Sequence, residues 1–267
     1  MTTLSHSSRP KALAPAKIST AVATGTIIDD DLEPLITAKG TGTVEGGQVS
    51  FTVSLSEPSS RTVKVKVRTV PGKTFPATSG TDYTPVAPQT LIFAAGETSK
   101  AVVFATREDL LDEDDERVGL ELSEPLSGRI NGVVAEAVII DNDNSPSFSI
   151  DDVSVIEGHK NTTAATFTVT LSAPSGRETS VDFTTANGTA VAVADFVGIG
   201  GSLTFVPGQV KQKISVQVKG ETTFEADEQF RLVLSKSRNA TVTKTTGLGT
   251  IINDDKAPAV KSSANSF

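Results

Sequence analysis

The chain has 267 residues, a net charge of −8, no cysteine, no tryptophan, one tyrosine and 12 phenylalanines. The acidic balance argues against nucleic acid, which needs a basic footprint, and without cysteine no disulfide can staple the fold. No run of 18 apolar residues occurs, so no membrane insertion by a helix is expected, and Met1 to Lys17 lacks the apolar centre of a secretory signal.

In chain order, residues 1–32 read as a disordered arm rich in Ser, Pro, Ala and Lys that ends in the last-strand remnant of a preceding repeat. Strand patterning then takes over. Gln48 to Ser56 places Val49, Phe51, Val53 and Leu55 on one face, and Arg61 to Val70 alternates Val63, Val65 and Val67 with Lys64, Lys66 and Arg68. A period of two with β-branched residues predicts half-buried strands. Leu91–Phe93, Lys100–Ala105, Val118–Leu122 and Val133–Ile140 continue the series. A second set follows at Ala165–Ser172, Thr179–Thr185, Ser202–Phe205, Lys211–Val218, Gln229–Leu234 and Val242–Ile252. Turn signals such as Glu57-Pro58-Ser59, Pro71-Gly72, Ala173-Pro174-Ser175-Gly176 and Pro207-Gly208 separate them. The prediction is all-β: two tandem antiparallel β-sandwiches of about seven strands each. They are expected over 33–143 and 147–255, joined by a short proline-ended linker at 144–146 and followed by a disordered tail at 256–267.

An internal repeat underlies this division. Gly25 to Asp31, Ala137 to Asp143 and Gly249 to Asp255 each run from an apolar stretch into acids, and 137 − 25 and 249 − 137 both give 112. Glu45-Gly46 and Glu157-Gly158 keep that spacing, as do Asp115-Glu116 and Asp227-Glu228. Each strand traversal changes pole, so the acid-rich loop 107–116 and the exit at 141–143 should meet at one end of the first sandwich. Carboxylates gathered there repel one another unless a cation neutralises them, and calcium takes six to eight oxygens in irregular geometry. The EF-hand pattern is absent. An acid-rich loop alone is most often a solvated face; acids in four places, at Glu45, at Asp82, in the 107–116 loop and at 141–143, restated in a repeat favour calcium.

Taken together, Phe51 to Ser56 and Phe167 to Ser172, Asp82-Tyr83 and Asp195-Phe196, and Leu91-Ile92-Phe93 and Leu203-Thr204-Phe205 resemble tandem Calx-beta domains. So do Glu113-Asp114-Asp115-Glu116, Glu225-Ala226-Asp227-Glu228-Gln229-Phe230 and Ile252-Asn253-Asp254-Asp255. Val118 departs from the family's phenylalanine, and Pro71 to Ser79 departs from its Gly-Thr-Ala segment. The resemblance implies an immunoglobulin-like sandwich with calcium at the acidic pole. It implies Glu45, Asp82, Glu108, Asp109, Glu113, Asp141 and Asp143 as ligands in the first unit. In the second it implies Glu157, Asp195, Glu221, Glu225, Asp254 and Asp255. Gly220 falls where an acid is often found, so fewer ions or weaker binding is expected in the second unit.

Catalysis finds no support. His6 lies in the arm, and His159 reads as a solvated loop residue; no nucleophile elbow or phosphate loop is present. The leading expectation is a calcium-rigidified spacer or adhesion segment of a larger surface or secreted protein, in contact with neighbouring repeats and with a cell-surface or matrix protein. A calcium sensor within a transporter or signalling protein is the first alternative, and a metal-free structural or interaction module the second.

Overall fold

The computed structural model describes residues 24–28, 30 and 32–259. The chain divides into a unit at 1–33 and a unit at 34–267. In the first unit, Gly25 to Ile28 form no strand, with Ile27 and Ile28 exposed. Among the described residues of the predicted strand remnant, none lies in a strand. The rest of the predicted arm and Val260 to Phe267 of the predicted tail lie outside the described residues.

The second unit is all-β among its described residues. Its first half holds β1 (Leu35–Thr41), β2 (Thr43–Val44), β3 (Gln48–Leu55), β4 (Val63–Pro71), β5 (Gln89–Phe93), β6 (Ser99–Ala105), β7 (Glu116–Leu126), β8 (Arg129–Ile130) and β9 (Val134–Ile140). Its second half repeats them as β10 (Ser147–Ile150), β11 (Val153–Ile156), β12 (Thr162–Leu171), β13 (Thr179–Asn187), β14 (Gly200–Phe205), β15 (Lys211–Lys219), β16 (Glu228–Arg238), β17 (Thr241–Val242) and β18 (Thr246–Ile252). Each half is a sandwich of a four-stranded sheet (β6-β3-β1-β8; β15-β12-β10-β17) and a five-stranded sheet (β2-β9-β7-β4-β5; β11-β18-β16-β13-β14).

The alternation in β3 and β4 is realised as predicted. Val49, Phe51, Val53, Val63, Val65 and Val67 are all buried, and the lysines between the valines of β4 stay at the surface. Without tryptophan, each core is filled by phenylalanines. Phe148 tilts on Phe205 at 5.2 Å, and Phe196 stacks on Phe230 at 4.7 Å, an arrangement that adds to simple area burial. Val118 stands where the second sandwich has Phe230, and the cross-strand partner compensates. Phe230 faces Gly249, whereas Val118 faces Ala137.

One predicted strand changes, and one crossover was not foreseen. The single strand predicted over Val242–Ile252 is broken, with β17 in one sheet and β18 in the other. The first strand of each sandwich also changes sheet. β1 pairs antiparallel with β3, then β2 pairs parallel with β9; β10 and β11 do the same with β12 and β18. This crossover positions the site described next.

Candidate metal centre

Parallel strands leave a sheet at the same end. Because β2 runs parallel to β9, Glu45 emerges beside Asp141, and its N–H donates to the carbonyl of Ile140 at 3.1 Å. Gly46 follows in the left-handed region (φ +68), and a Cβ there would lie 2.6 Å from Glu108 Oε2. Only glycine lets the chain turn back into β3 under that side chain. The second sandwich repeats the arrangement: Glu157 N–H donates to the Ile252 carbonyl at 3.2 Å, and Gly158 has φ +75.

Asp82 reaches the same pole by another route. Tyr83 is buried and packs on Phe104 at 5.6 Å between ring centres, which fixes its neighbour at the rim. The Asp82 carboxylate accepts from Thr78 N–H, and its carbonyl accepts from Arg107 N–H at 2.8 Å. Phe196 does the same for Asp195, whose carboxylate accepts from Val191 N–H at 2.6 Å and whose carbonyl accepts from Lys219 N–H at 2.8 Å. The acid loop joins the last strand through Asp141 N–H on Asp115 Oδ1 and Asn253 N–H on Asp227 Oδ1, both 3.2 Å. The poles inferred from strand counting are therefore formed in both sandwiches.

Four carboxylate groups result, each with donor oxygens within 4.8 Å of one another: Glu45 with Asp141 and Asp143, and Asp82 with Glu113 and Glu116 in the first sandwich; Glu157 with Glu221 and Asp255, and Asp195 with Glu225 and Glu228 in the second. Of the predicted residues, Glu108 and Asp109 lie outside these tight groups. Glu108 is exposed and accepts from Asn142 Nδ2 at 3.4 Å, while Asp109 caps Leu111 N–H at 2.8 Å. Asp254 instead approaches His159 at 3.9 Å. Sequence reasoning did not select Glu116 and Glu228, although the repeated Glu-x-x-Glu of 113–116 and 225–228 carried the signal. It read His159 as a solvated loop residue, and the side chain is exposed, but its contact with Asp255 was not foreseen. His159 Nδ1 lies 2.7 Å from Asp255 Oδ1, because the turn after Gly158 brings it over the end of β18.

Burial and crowding raise the proton affinity of these carboxylates. Glu45 is pushed up to about 7, first by burial and then by the charges of Asp109, Asp141, Glu113 and Asp143. Glu157 is also pushed up to about 7, by burial and then by Glu221, Asp255, Glu225 and Asp254. Burial likewise raises Glu113, Asp141 and Asp143. Glu116 and Glu228 rise through burial and through hydrogen bonds to Asp82 and Asp195. Glu45 Oε2, Asp141 Oδ1, Asp143 Oδ2, Glu157 Oε1, Glu221 Oε1 and Asp255 Oδ2 are all buried without a hydrogen-bond partner. Such orphans are costly and rare. Oxygens up to 4.8 Å apart fit around one calcium ion at about 2.4 Å.

The loop between β6 and β7 also touches the second sandwich. Asp112, 2 % exposed, pairs with Arg177 and accepts from Ser145 Oγ at 2.9 Å; its carbonyl accepts from Ser175 Oγ at 3.0 Å and from Gly176 N–H at 3.2 Å. Arg177 reaches Asp114 as well, at 3.1 Å. A Cβ at Gly176 would meet the Glu113 carboxylate, so a larger residue there would displace that side chain.

The Calx-beta domain profile matches residues 41–143 and again 141–256. The chain belongs to the Calx-beta family. Calx-beta domains are known as calcium-binding modules, not catalytic ones. Over 155 residues, 55% of this chain, it is 31% identical to Extracellular matrix protein 3 of Lytechinus variegatus. The chain spans only 5% of that relative's length. Among solved structures, CBD12 from CALX1.2 is 18% identical with a TM-score of 0.37, covering 80% of this chain and 98% of its own. The apo-form Calx CBD1 domain is 26% identical with a TM-score of 0.39, covering 42% of this chain and all 100% of its own.

Proposed function

We propose that both poles bind calcium and that the ions stiffen a two-sandwich spacer or adhesion segment of a larger surface or secreted protein. The observation that carries this reading is the set of buried, partnerless carboxylate oxygens, which water-exposed solubility acids would not present. In the first sandwich Glu45, Asp141, Asp143, Asp82, Glu113 and Glu116 hold the ions, with Glu108 and Asp109 adding charge at the rim. In the second, Glu157, Glu221, Asp255, Asp195, Glu225 and Glu228 do so, with Asp254 beside them. Calcium occupying the group at Glu113 would order the loop that also carries Asp112 and Asp114 to Arg177, so ion binding and the junction reinforce each other. Neighbouring repeats and a matrix or cell-surface protein are the natural partners, a reading supported by the extracellular matrix relative.

The same Asp112–Arg177 link supports a sensor as the second reading, in which filling the pole reorients one sandwich against the other. Calorimetric calcium titration of the metal-stripped chain, with scattering in both states, tests both. Binding with a stiffened but unchanged angle supports the spacer; binding with a changed angle supports the sensor. Absence of binding at millimolar calcium would refute both.

A further inference from the structure

The second sandwich carries a ligand type that the first lacks. His159 follows Glu157-Gly158, where the first sandwich has Gly47 after Glu45-Gly46. The chain has 2 histidines, and the other, His6, lies outside the described residues. His159 Nδ1 stands 2.7 Å from Asp255 Oδ1 and 3.9 Å from Asp254 Oδ1, and one donor atom from each of the three lies within 4.8 Å of the others.

Asp255 also belongs to the group with Glu157 and Glu221. Its side chain is 7% exposed, and Oδ2 is buried without a partner even though Oδ1 meets His159. Glu157, 6% exposed, contributes a second partnerless oxygen, Oε1. The imidazole meets Oδ1 alone, so Asp255 keeps a second oxygen free for a neighbouring group.

We propose that His159, Asp254 and Asp255 form a mixed nitrogen–oxygen site for a divalent transition ion of the zinc class, sharing Asp255 with the adjoining all-oxygen site of Glu157 and Glu221. Imidazole nitrogen favours zinc, copper and nickel over calcium, whereas carboxylates alone favour calcium. A tetrahedral ion at about 2.0 Å from its ligands holds them about 3.3 Å apart, between the two distances seen. His159 is 59% exposed, which leaves the fourth position open to water. Asp255 is then a bridging carboxylate with one oxygen for each ion. The oxygen-only neighbour rests on the calcium reading above; the histidine site stands without it.

The test is zinc titration of the full chain, metal-free and at saturating calcium, with His159→Gln and His6→Gln variants. Imidazole nitrogen chemical shifts and the visible absorption of bound cobalt serve as direct readouts. One equivalent of zinc should bind in the presence of calcium, shift the His159 nitrogens and weaken by about 10–100-fold or more in His159→Gln. His6→Gln should bind as the parent does. Uptake of zinc through His159 with no calcium bound anywhere would leave this site standing and remove the calcium reading. Zinc binding unchanged in His159→Gln, or displaced in full by calcium, would overturn the proposal.

Discussion

Replacing Glu45 by Gln should stabilise the metal-free protein while it weakens calcium binding. Carrying this carboxyl from 4.5 to about 7 means that its ionised form costs the folded state about 3 kcal/mol relative to the unfolded chain. Since the folded value lies above the unfolded one, the stability tied to protonated Glu45 is complete below about pH 4.5. It is lost as the pH rises through about 7. Gln keeps the volume, carries no charge and offers an amide donor to Asp141 and Asp143. At pH 8 without metal, the variant should therefore melt higher by on the order of 10 °C. At pH 5 the two proteins should melt nearly together. With saturating calcium at pH 8 the order should reverse, because the variant has lost a ligand and gains less from the ion. Scanning calorimetry at the two pH values, with chelator and with calcium, gives all four numbers. A metal-free Glu45→Gln protein that melts below the parent at pH 8 would refute the argument, since Glu45 would then be engaged in a favourable contact.

Calcium uptake should release protons, because Glu45 and Glu157 hold theirs up to about 7 in the folded chain. At pH 6 calorimetry in two buffers of different ionisation heat should report protons released at both poles and an affinity about tenfold weaker than at pH 8; heats independent of buffer would contradict this. Arg177→Ala should uncouple the sandwiches, since it leaves the Asp112 side chain, 3% exposed, without its cation. Breaking one partner of such a pair costs about 3–5 kcal/mol, and two separate melting transitions in place of one would register the loss. Phe196→Ala should cost the second sandwich about 3–5 kcal/mol and, by freeing the rim, reduce calcium uptake at Asp195. Unchanged uptake would show that the ring does not position the carboxylate.

The two sandwiches, most of their strands and the acidic poles were legible because each depends on local pattern: alternation of valines with lysines in β4, the 112-residue spacing and the Asp-aromatic pair. What was missed depends on tertiary register. Glu116 and Glu228 open β7 and β16, where a charged residue looks like any solvated strand end; only pairing opposite Ile139 and Ile251 turns them toward Asp82 and Asp195. The sheet change from β1 to β2 hangs on one unpaired residue, Gly42, which no periodicity marks. The junction joins Asp112 to Ser175 and Arg177, residues brought together only by the packing of one sandwich on the other.

That junction has a repeated socket. Pro174-Ser175-Gly176-Arg177 corresponds to Pro58-Ser59-Ser60-Arg61, 116 residues earlier, as Phe167 corresponds to Phe51. The geometry repeats as well: Arg177 N–H donates to Ser175 Oγ and Arg61 N–H to Ser59 Oγ, both at 3.1 Å. The carbonyls of the same serines accept from Gly208 and Gly96 N–H, both at 2.9 Å. Each sandwich thus presents an arginine turn at one pole and an acid loop at the other, the polarity required for head-to-tail stacking. The sockets are not interchangeable. Gly176 makes room for Glu113 where Ser60 carries a side chain, and Asp112 and Asp114 become Phe224 and Ala226 in the second acid loop. The second acid loop therefore lacks the two carboxylates with which Asp112 and Asp114 hold Arg177. A repeat docking on Phe224, which is half exposed, would meet an apolar side chain where Arg177 meets two carboxylates. Successive joints in such an array would differ in their dependence on salt and pH, with the joint at Asp112 the more sensitive to both.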